Sequence, residues 1–142
     1  MYFVHSYDSF SHMTAWQQPL AEQISMQLFS QDLLVFSSQG KWLYPLFEAE
    51  SFLSQHHYEK KTLSLHDRVA GQAVAALCSH LGIGRVHADL MSRLALDAFA
   101  RYGIEATYAR LVPALQCRTE SLIDSSMSVE EIHRMLVKSV SL

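Results

Sequence analysis

The stretch that decides the fold is Ser64–Leu111, SLHDRVAGQAVAALCSHLGIGRVHADLMSRLALDAFARYGIEATYARL. Its first part predicts a helix. Ser64 and Asp67 form an S-x-x-D start, in which a hydroxyl accepts from exposed amides and a carboxylate favours the positive helix end. Gly82 supplies the left-handed conformation that ends a helix. Apolar side chains recur between these limits at the spacing of one buried helical face: Val69, Ala73, Val74, Leu77 and Leu81.

The second part predicts strand, helix and strand. Residues 85–90 alternate apolar and polar side chains, which is typical of a half-buried strand. Ser92 is expected to cap the next helix and Gly103 to end it. A last strand follows from Ile104 to Leu111. Together these elements predict a βαβ unit with parallel strands and a right-handed crossover.

The flanking segments add a hairpin and two helices. Strands at about 24–30 and 33–37 are predicted around a short polar turn, although Leu20, Ile24 and Leu28 also suit one longer helix. Pro45 fits the first turn of a helix. A capping box at Ser128–Glu131 opens the last helix, whose apolar side either closes the core or contacts a second copy. We divide the chain into an arm (1–13), an α/β domain (14–115) and a C-terminal extension (116–142).

Composition excludes several functional classes. The 142 residues are 49% hydrophobic and 18% charged with a formal net charge of −3, which is typical of a globular domain and gives no positive field for nucleic acid or anionic lipid. The two cysteines, Cys78 and Cys117, form neither a zinc pair nor a disulfide framework, and Cys78 is expected to be a buried helix residue. The sequence shows no secretory signal and no apolar run long enough to span a bilayer, so we expect a cytoplasmic protein.

The order and spacing of several short motifs resemble a known family. They are spread over roughly residues 20–115: LLVFSS at 33–38, PLFE at 45–48, DRVAGQA at 67–73, RVHADL at 85–90, AL at 95–96, YGI at 102–104 and LVP at 111–113. The chain resembles a small prokaryotic family of domains of unknown function with a cytidine-deaminase-like fold. The resemblance implies a three-layer α/β/α sandwich around a mixed sheet of about four strands, and it favours the hairpin over the longer helix. Ser128 stands where the family has a cysteine, which puts any role of that thiol in doubt.

The resemblance also allows deaminase chemistry to be examined. Zinc deaminases hold the metal by a His or Cys at one helix start and two Cys at the next, with a Glu as acid and base. At the predicted helix starts His66 offers one ligand, Arg68 stands in place of the Glu, and no cysteine lies near Ser92. One ligand does not hold zinc. We therefore expect no catalytic residues, no metal and no cofactor, and thus a zinc-free pseudoenzyme.

A binding function is the main prediction. Helix starts near Asp67 and Ser92 would point to one end of the sheet, where exposed amides attract anions. The predicted ligand is small and anionic or nucleotide-like, bound by His66, Asp67, Arg68, Ser92 and Arg93. Plain helix capping by Asp67 and Ser92 is the simpler explanation of those two residues. The alternatives are an oligomerisation or interaction module, for example a homodimer, and an enzyme of unknown reaction, for which no local nucleophile motif is present.

Overall fold

The fold is built on a five-stranded mixed sheet. This computed structural model describes residues 14–59 and 61–140. The predicted arm, 1–13, lies outside the described residues. The strands are β1 (Met26–Ser30), β2 (Leu33–Ser38), β3 (Leu63–Ala70), β4 (Arg85–Ser92) and β5 (Glu105–Val112). A 3₁₀ helix (Ala15–Gln17) precedes them, and the α-helices are α1 (Tyr44–Ser54), α2 (Gln72–Leu81), α3 (Arg93–Arg101), α4 (Arg118–Leu122) and α5 (Val129–Val140).

The predicted hairpin is confirmed. Strands β1 and β2 pair antiparallel, with Ser30 opposite Leu33 at the turn. The two turn residues, Gln31 and Asp32, both have positive φ (50° and 68°). A two-residue loop with positive φ at both positions matches the right-handed twist of the strands that it joins.

The helix predicted from Ser64 is wrong in its first eight residues, because residues 63–70 form the central strand of the sheet. In the strand order β2-β1-β3-β4-β5, β3 pairs antiparallel with β1 and parallel with β4. Ser64 is therefore a buried strand residue and Asp67 is not a helix cap. The helix begins after Gly71, and the sheet has five strands instead of four.

The later part of the predicted pattern is confirmed. Strands β4 and β5 are parallel and are joined by α3. Ser92 caps α3 by accepting a hydrogen bond from the Ala95 amide at 3.0 Å. Gly82 and Gly103 follow α2 and α3 with φ of 77° and 72°, the left-handed conformation expected of them.

The core lies between the sheet and a group of helices centred on α2, which contacts α1, α3, α4 and α5. Met26, Leu28, Leu65, Val86 and Ala88 face these helices and are fully buried. The 3₁₀ helix contacts β1, β3 and β4. The described residues thus form a mixed α/β fold. The three-layer arrangement that the resemblance implies is not confirmed.

The last helix closes the core. Ile132 and Leu136 on α5 are fully buried, and α5 packs against α2. At its start the Ser128 amide donates to Glu131 Oε1 at 2.8 Å, and the Glu131 amide donates to Ser128 Oγ at 3.1 Å, as the capping box predicts.

A buried carboxylate ties the C-terminal segment to the start of α2. Glu120 is 3% exposed, and its Oε1 accepts from the Gln72 amide at 2.8 Å while Oε2 accepts from the Leu115 amide at 3.2 Å. The Gln72 side chain donates back to the carbonyls of Glu120 and Ile123 at 2.8 and 3.0 Å. A negative group at this place also complements the positive end of the helix.

The substitution Glu120→Gln tests this tie. A glutamine keeps one acceptor oxygen but turns an NH₂ group toward the other backbone amide, so we expect a loss of about 1–3 kcal/mol in the free energy of unfolding. Urea denaturation followed by circular dichroism measures it. The control, Glu130→Gln on the exposed side of α5, should change stability by less than about 0.5 kcal/mol. Equal effects of the two substitutions would contradict the assigned role of Glu120.

Candidate functional site

A cavity of about 450 Å³ opens where β3 ends and α2 begins. Its walls are mainly apolar, with a few polar groups from β3 and from the two segments that flank α1 and α4. The size and lining are those of a small-molecule site. The lining residues are Ser25, Gly40, Lys41, Trp42, Leu43, Pro45, Asp67, Arg68, Val69, Gly71, Ala73, Val74, Leu115, Gln116, Cys117 and Thr119.

Asp67 is the acidic group in the wall of this cavity. Burial raises its pKa to about 7, and the nearby carboxylate of Asp89 adds to that effect. Hydrogen bonds from the backbone amides of Arg68 and Val69 oppose the increase. The Arg68 amide donates to Asp67 Oδ1 at 2.8 Å. Near neutral pH the Asp67 carboxyl therefore exists in both protonation states and is able to donate as well as accept a hydrogen bond.

Trp42 and Lys41 bring an aromatic ring and a cation to the same cavity. Trp42 is 51% exposed, although tryptophan is a residue that proteins usually bury for the most part. Its φ is 57°, an uncommon conformation for a bulky side chain. Strained conformations of this kind persist where the surrounding structure holds them, and they are frequent at ligand sites.

The predicted anion site at the two helix starts is not assembled as expected. At α2 the Gln72 amide is taken by Glu120, and at α3 the Ala95 amide is taken by Ser92. Ser92 is fully buried, and neither Ser92 nor Arg93 is among the described residues that line the cavity. Helix α2 begins after Gly71, five residues beyond His66. His66 and Arg68 therefore do not lie at a helix start, and their comparison with zinc-deaminase ligands does not hold.

Strand alternation separates the other three predicted residues. Successive side chains of a strand point to opposite faces, so Asp67 lies on one face of β3 while His66 and Arg68 lie on the other. Arg68 borders the cavity, but its guanidinium donates to Asp89 Oδ2 at 3.3 Å and to the carbonyls of Ala21 and Glu22 at 2.6 and 3.1 Å. Arg68 therefore holds the segment before β1 against the sheet.

A second polar site, which the sequence analysis missed, lies on the face that carries His66. His66 Nε2 is 2.9 Å from Asp89 Oδ1, and the His66 and His87 rings meet edge to face with centroids 4.8 Å apart. His87 Nδ1 is 2.7 Å from Thr107 Oγ1. Burial lowers the pKa of His87, the neighbouring His66 lowers it further, and Asp89 opposes the change. His87 and Asp89 appear in the sequence as alternate polar residues of one strand, but pairing them with His66 requires knowing that β3 is the adjacent strand.

One atom of this site has no partner. His66 is 1% exposed, and its Nδ1 is buried without a hydrogen bond. Leaving such a group unpaired costs about 1–3 kcal/mol. On the same face, Trp16 Nε1 and Ser64 Oγ are also buried without partners.

A third polar cluster joins three helices. Glu50 on α1 lies between His80 on α2 and His133 on α5, with each carboxylate oxygen near one Nε2 atom (3.0 and 3.2 Å). The two imidazole rings stack at 3.8 Å. This arrangement links the helix layer and satisfies both oxygens of the carboxylate.

The architecture defines the class of the protein as a mixed α/β domain with a ligand-sized cavity at the end of its central strand. Residues 17–138 match the family model described as Domain of unknown function (DUF1893). The chain belongs to the DUF1893 family.

A solved structure supports the fold. The crystal structure of a DUF1893 family protein from Thermotoga maritima matches with a TM-score of 0.69 and 23% sequence identity, over 82% of this chain and 80% of that chain. The comparison with curated proteins finds no match. None of the helices among the described residues is both long and apolar enough to cross a membrane.

The raised pKa of Asp67 predicts a pH dependence of stability. Between about 4 and about 7 the folded chain holds a proton on Asp67 that the unfolded chain has released, so wild-type stability falls as the pH rises through this window. The upper limit of the effect is about 4 kcal/mol, and partial exposure reduces it. We expect Asp67→Asn to match wild type near pH 4 and to be more stable at pH 8 by roughly 1–3 kcal/mol.

Urea denaturation at several pH values makes this measurement. Asp97→Asn, at an exposed position on α3, is the control and should follow the wild-type profile. An Asp67→Asn profile parallel to that of wild type would show that Asp67 keeps an ordinary carboxylate pKa.

Proposed function

We propose that this chain is a non-catalytic binding module for a small, nucleotide-like ligand that carries a flat ring and one anionic group. The observation that carries the proposal is the cavity at the end of β3, with exposed Trp42 and the adjacent Lys41 in its lining. Apolar walls with a few polar groups are the usual composition of ligand pockets.

The ring of the ligand would contact Trp42 and the apolar side chains of the cavity. An indole offers a flat face for stacking, and stacking on an aromatic side chain contributes about 1–3 kcal/mol per base. The Asp67 carboxyl in the same wall offers oxygen acceptors for the N–H groups at the edge of a heterocyclic base.

The anionic group of the ligand would pair with Lys41. Lys41 is exposed and lines the cavity. The start of α2, the usual phosphate site in such folds, is already occupied by the carboxylate of Glu120. The cavity therefore favours a ligand whose charge lies away from the helix start.

A deaminase ancestry fits this arrangement and is part of the proposal. The cavity adjoins the start of α2, and zinc deaminases hold their metal at helix starts. In this chain residues 70–72 read Ala-Gly-Gln, with no metal ligand among them. We therefore propose a degenerate deaminase pocket that binds a ligand without converting it.

Intrinsic tryptophan fluorescence tests the proposal, because the chain has one exposed tryptophan at the cavity, Trp42, and one buried tryptophan, Trp16. The probes are the four ribonucleoside 5′-monophosphates, their nucleosides and inorganic phosphate. We expect saturable quenching by at least one monophosphate, which Trp42→Phe abolishes and Trp16→Phe retains. We expect Lys41→Gln to weaken binding of the monophosphate by about 5–10-fold, which corresponds to roughly 1–1.4 kcal/mol.

The matched control for charge is Lys138→Gln on α5, which lies outside the cavity lining and should leave the affinity unchanged. The proposal fails when no probe quenches wild-type fluorescence saturably at millimolar concentration. It also fails when Lys41→Gln and Lys138→Gln have the same effect.

A second candidate function, self-association, rests on the edge strand β2. Leu33 and Leu34 are 72% and 53% exposed on this outer strand of the sheet. An exposed apolar edge strand readily pairs with another chain. On α5, Ile132 and Leu136 are buried within the chain and are not available for such a contact.

Light scattering after size-exclusion chromatography tests self-association. A homodimer that forms as concentration rises, and that Leu33→Lys converts to a monomer, would support an interface at β2. A wild-type chain that stays monomeric at high micromolar concentration would exclude it. The control is Leu122→Lys, at another exposed leucine (49%) that lies on α4 and not on the sheet.

A further inference from the structure

We infer that His66, His87 and Asp89 form a binding site for a divalent transition-metal cation of the zinc class, on the face of the sheet opposite Asp67. One potential ligand atom from each of these side chains lies within 4.8 Å of the others. Two imidazoles and one carboxylate are a donor set that such cations prefer. This site is separate from the cavity of the proposed function and goes beyond it.

The nitrogen of His66 that faces Asp89 is the one placed to bind a cation. His66 Nδ1 is buried without a hydrogen bond, while Nε2 of the same ring faces Asp89 Oδ1. Since Nδ1 lies on the edge of the ring away from Asp89, a cation shared with Asp89 would bind Nε2, in place of the proton between Nε2 and Oδ1. Trp16 Nε1 and Ser64 Oγ are likewise buried without partners. In a zinc site with three protein ligands, water completes the coordination.

His87 is oriented as a ligand. With Nδ1 held 2.7 Å from Thr107 Oγ1, Nε2 is the nitrogen left for a metal. Metal-binding histidines usually bind a second group through their other nitrogen in this way, which fixes the ring and its tautomer. The side-chain amide of Gln17 also donates, through Nε2, to Thr107 Oγ1 at 3.4 Å and so helps to hold that hydroxyl in place.

Asp89 would bind through one oxygen. Its Oδ2 accepts from Arg68 and its Oδ1 is paired with His66 Nε2, so the cation would bind Oδ1 by replacing the proton between those two atoms. The Asp89 side chain is 39% exposed, whereas His66 is 1% and His87 8% exposed, so a cation would enter past Asp89. The tetrahedral geometry of zinc requires donor atoms roughly 3.4 Å apart, so binding would draw these side chains together from their present spacing of up to 4.8 Å.

The cluster of Glu50, His80 and His133 serves as the matched comparison. It has the same donor types, and its ligand atoms also lie within a short distance of one another. It differs in burial: the side chains of Glu50, His80 and His133 are 34%, 31% and 20% exposed, whereas His66 and His87 are 1% and 8% exposed.

The test uses the full chain, stripped of metal with a chelator and then titrated with Zn²⁺ by calorimetry and with Co²⁺ by visible absorption. We expect one Zn²⁺ per chain and Co²⁺ bands typical of a four- or five-coordinate site. His87→Gln and Asp89→Asn should each weaken Zn²⁺ binding by at least about 100-fold, and Thr107→Val by about 10–100-fold. His80→Gln should leave it unchanged.

Circular dichroism and urea denaturation of each variant establish whether it is folded. If His87→Gln does not fold, the conservative variant Asp89→Asn provides the test. Two results would overturn the inference. One is stripped wild-type protein that takes up no Zn²⁺ at millimolar concentration. The other is binding that is lost in His80→Gln and kept in folded His87→Gln or Asp89→Asn.

Discussion

The pairing of β3 on both of its sides is the constraint on which the rest of the structure depends. This strand joins the antiparallel hairpin to the parallel strands β4 and β5, so its register fixes which residues of the two halves meet. Because side chains alternate along it, Asp67 lies in the cavity wall while His66 contacts Asp89 on the other face. A shift of one residue would exchange the two sites and turn Leu65 out of the core.

The second constraint is the carboxylate of Glu120. It supplies from within the chain the negative group that the start of α2 attracts, and it brings the C-terminal segment to the wall of the cavity. A Cβ atom on Gly71 would lie 2.8 Å from Glu120 Oε1 and 2.7 Å from Leu115 Cδ1, so this close approach requires glycine. Residues 115–117 and Thr119 consequently form one wall of the cavity, and the exposed positive group in its lining is Lys41 rather than a helix end.

Local signals in the sequence predicted much of the fold. The strand pattern of residues 85–90, the caps at Ser92 and Ser128 and the glycine at 82 each depend on neighbouring residues, and each is confirmed. Strand β3 was missed because Ser64 and Asp67 imitate a helix cap and Val69 extends the helical spacing of α2. In the structure Val69 is 44% exposed, so the spacing was fortuitous. The two polar clusters could not be predicted, since His66 with Asp89 and Glu50 with His133 meet only through tertiary packing.

The most direct test of the account is a nuclear Overhauser measurement on β3 in the intact chain. The structure predicts cross-strand contacts from residues 63–70 to both sides, including Gln27 with His66 and Leu65 with Val86, and helical contacts between residues three apart only after Gly71. Helical contacts that begin at Ser64, without cross-strand contacts to β1, would contradict it. In that case Asp67 and His66 would not lie on opposite faces of a strand, and neither site would exist as described.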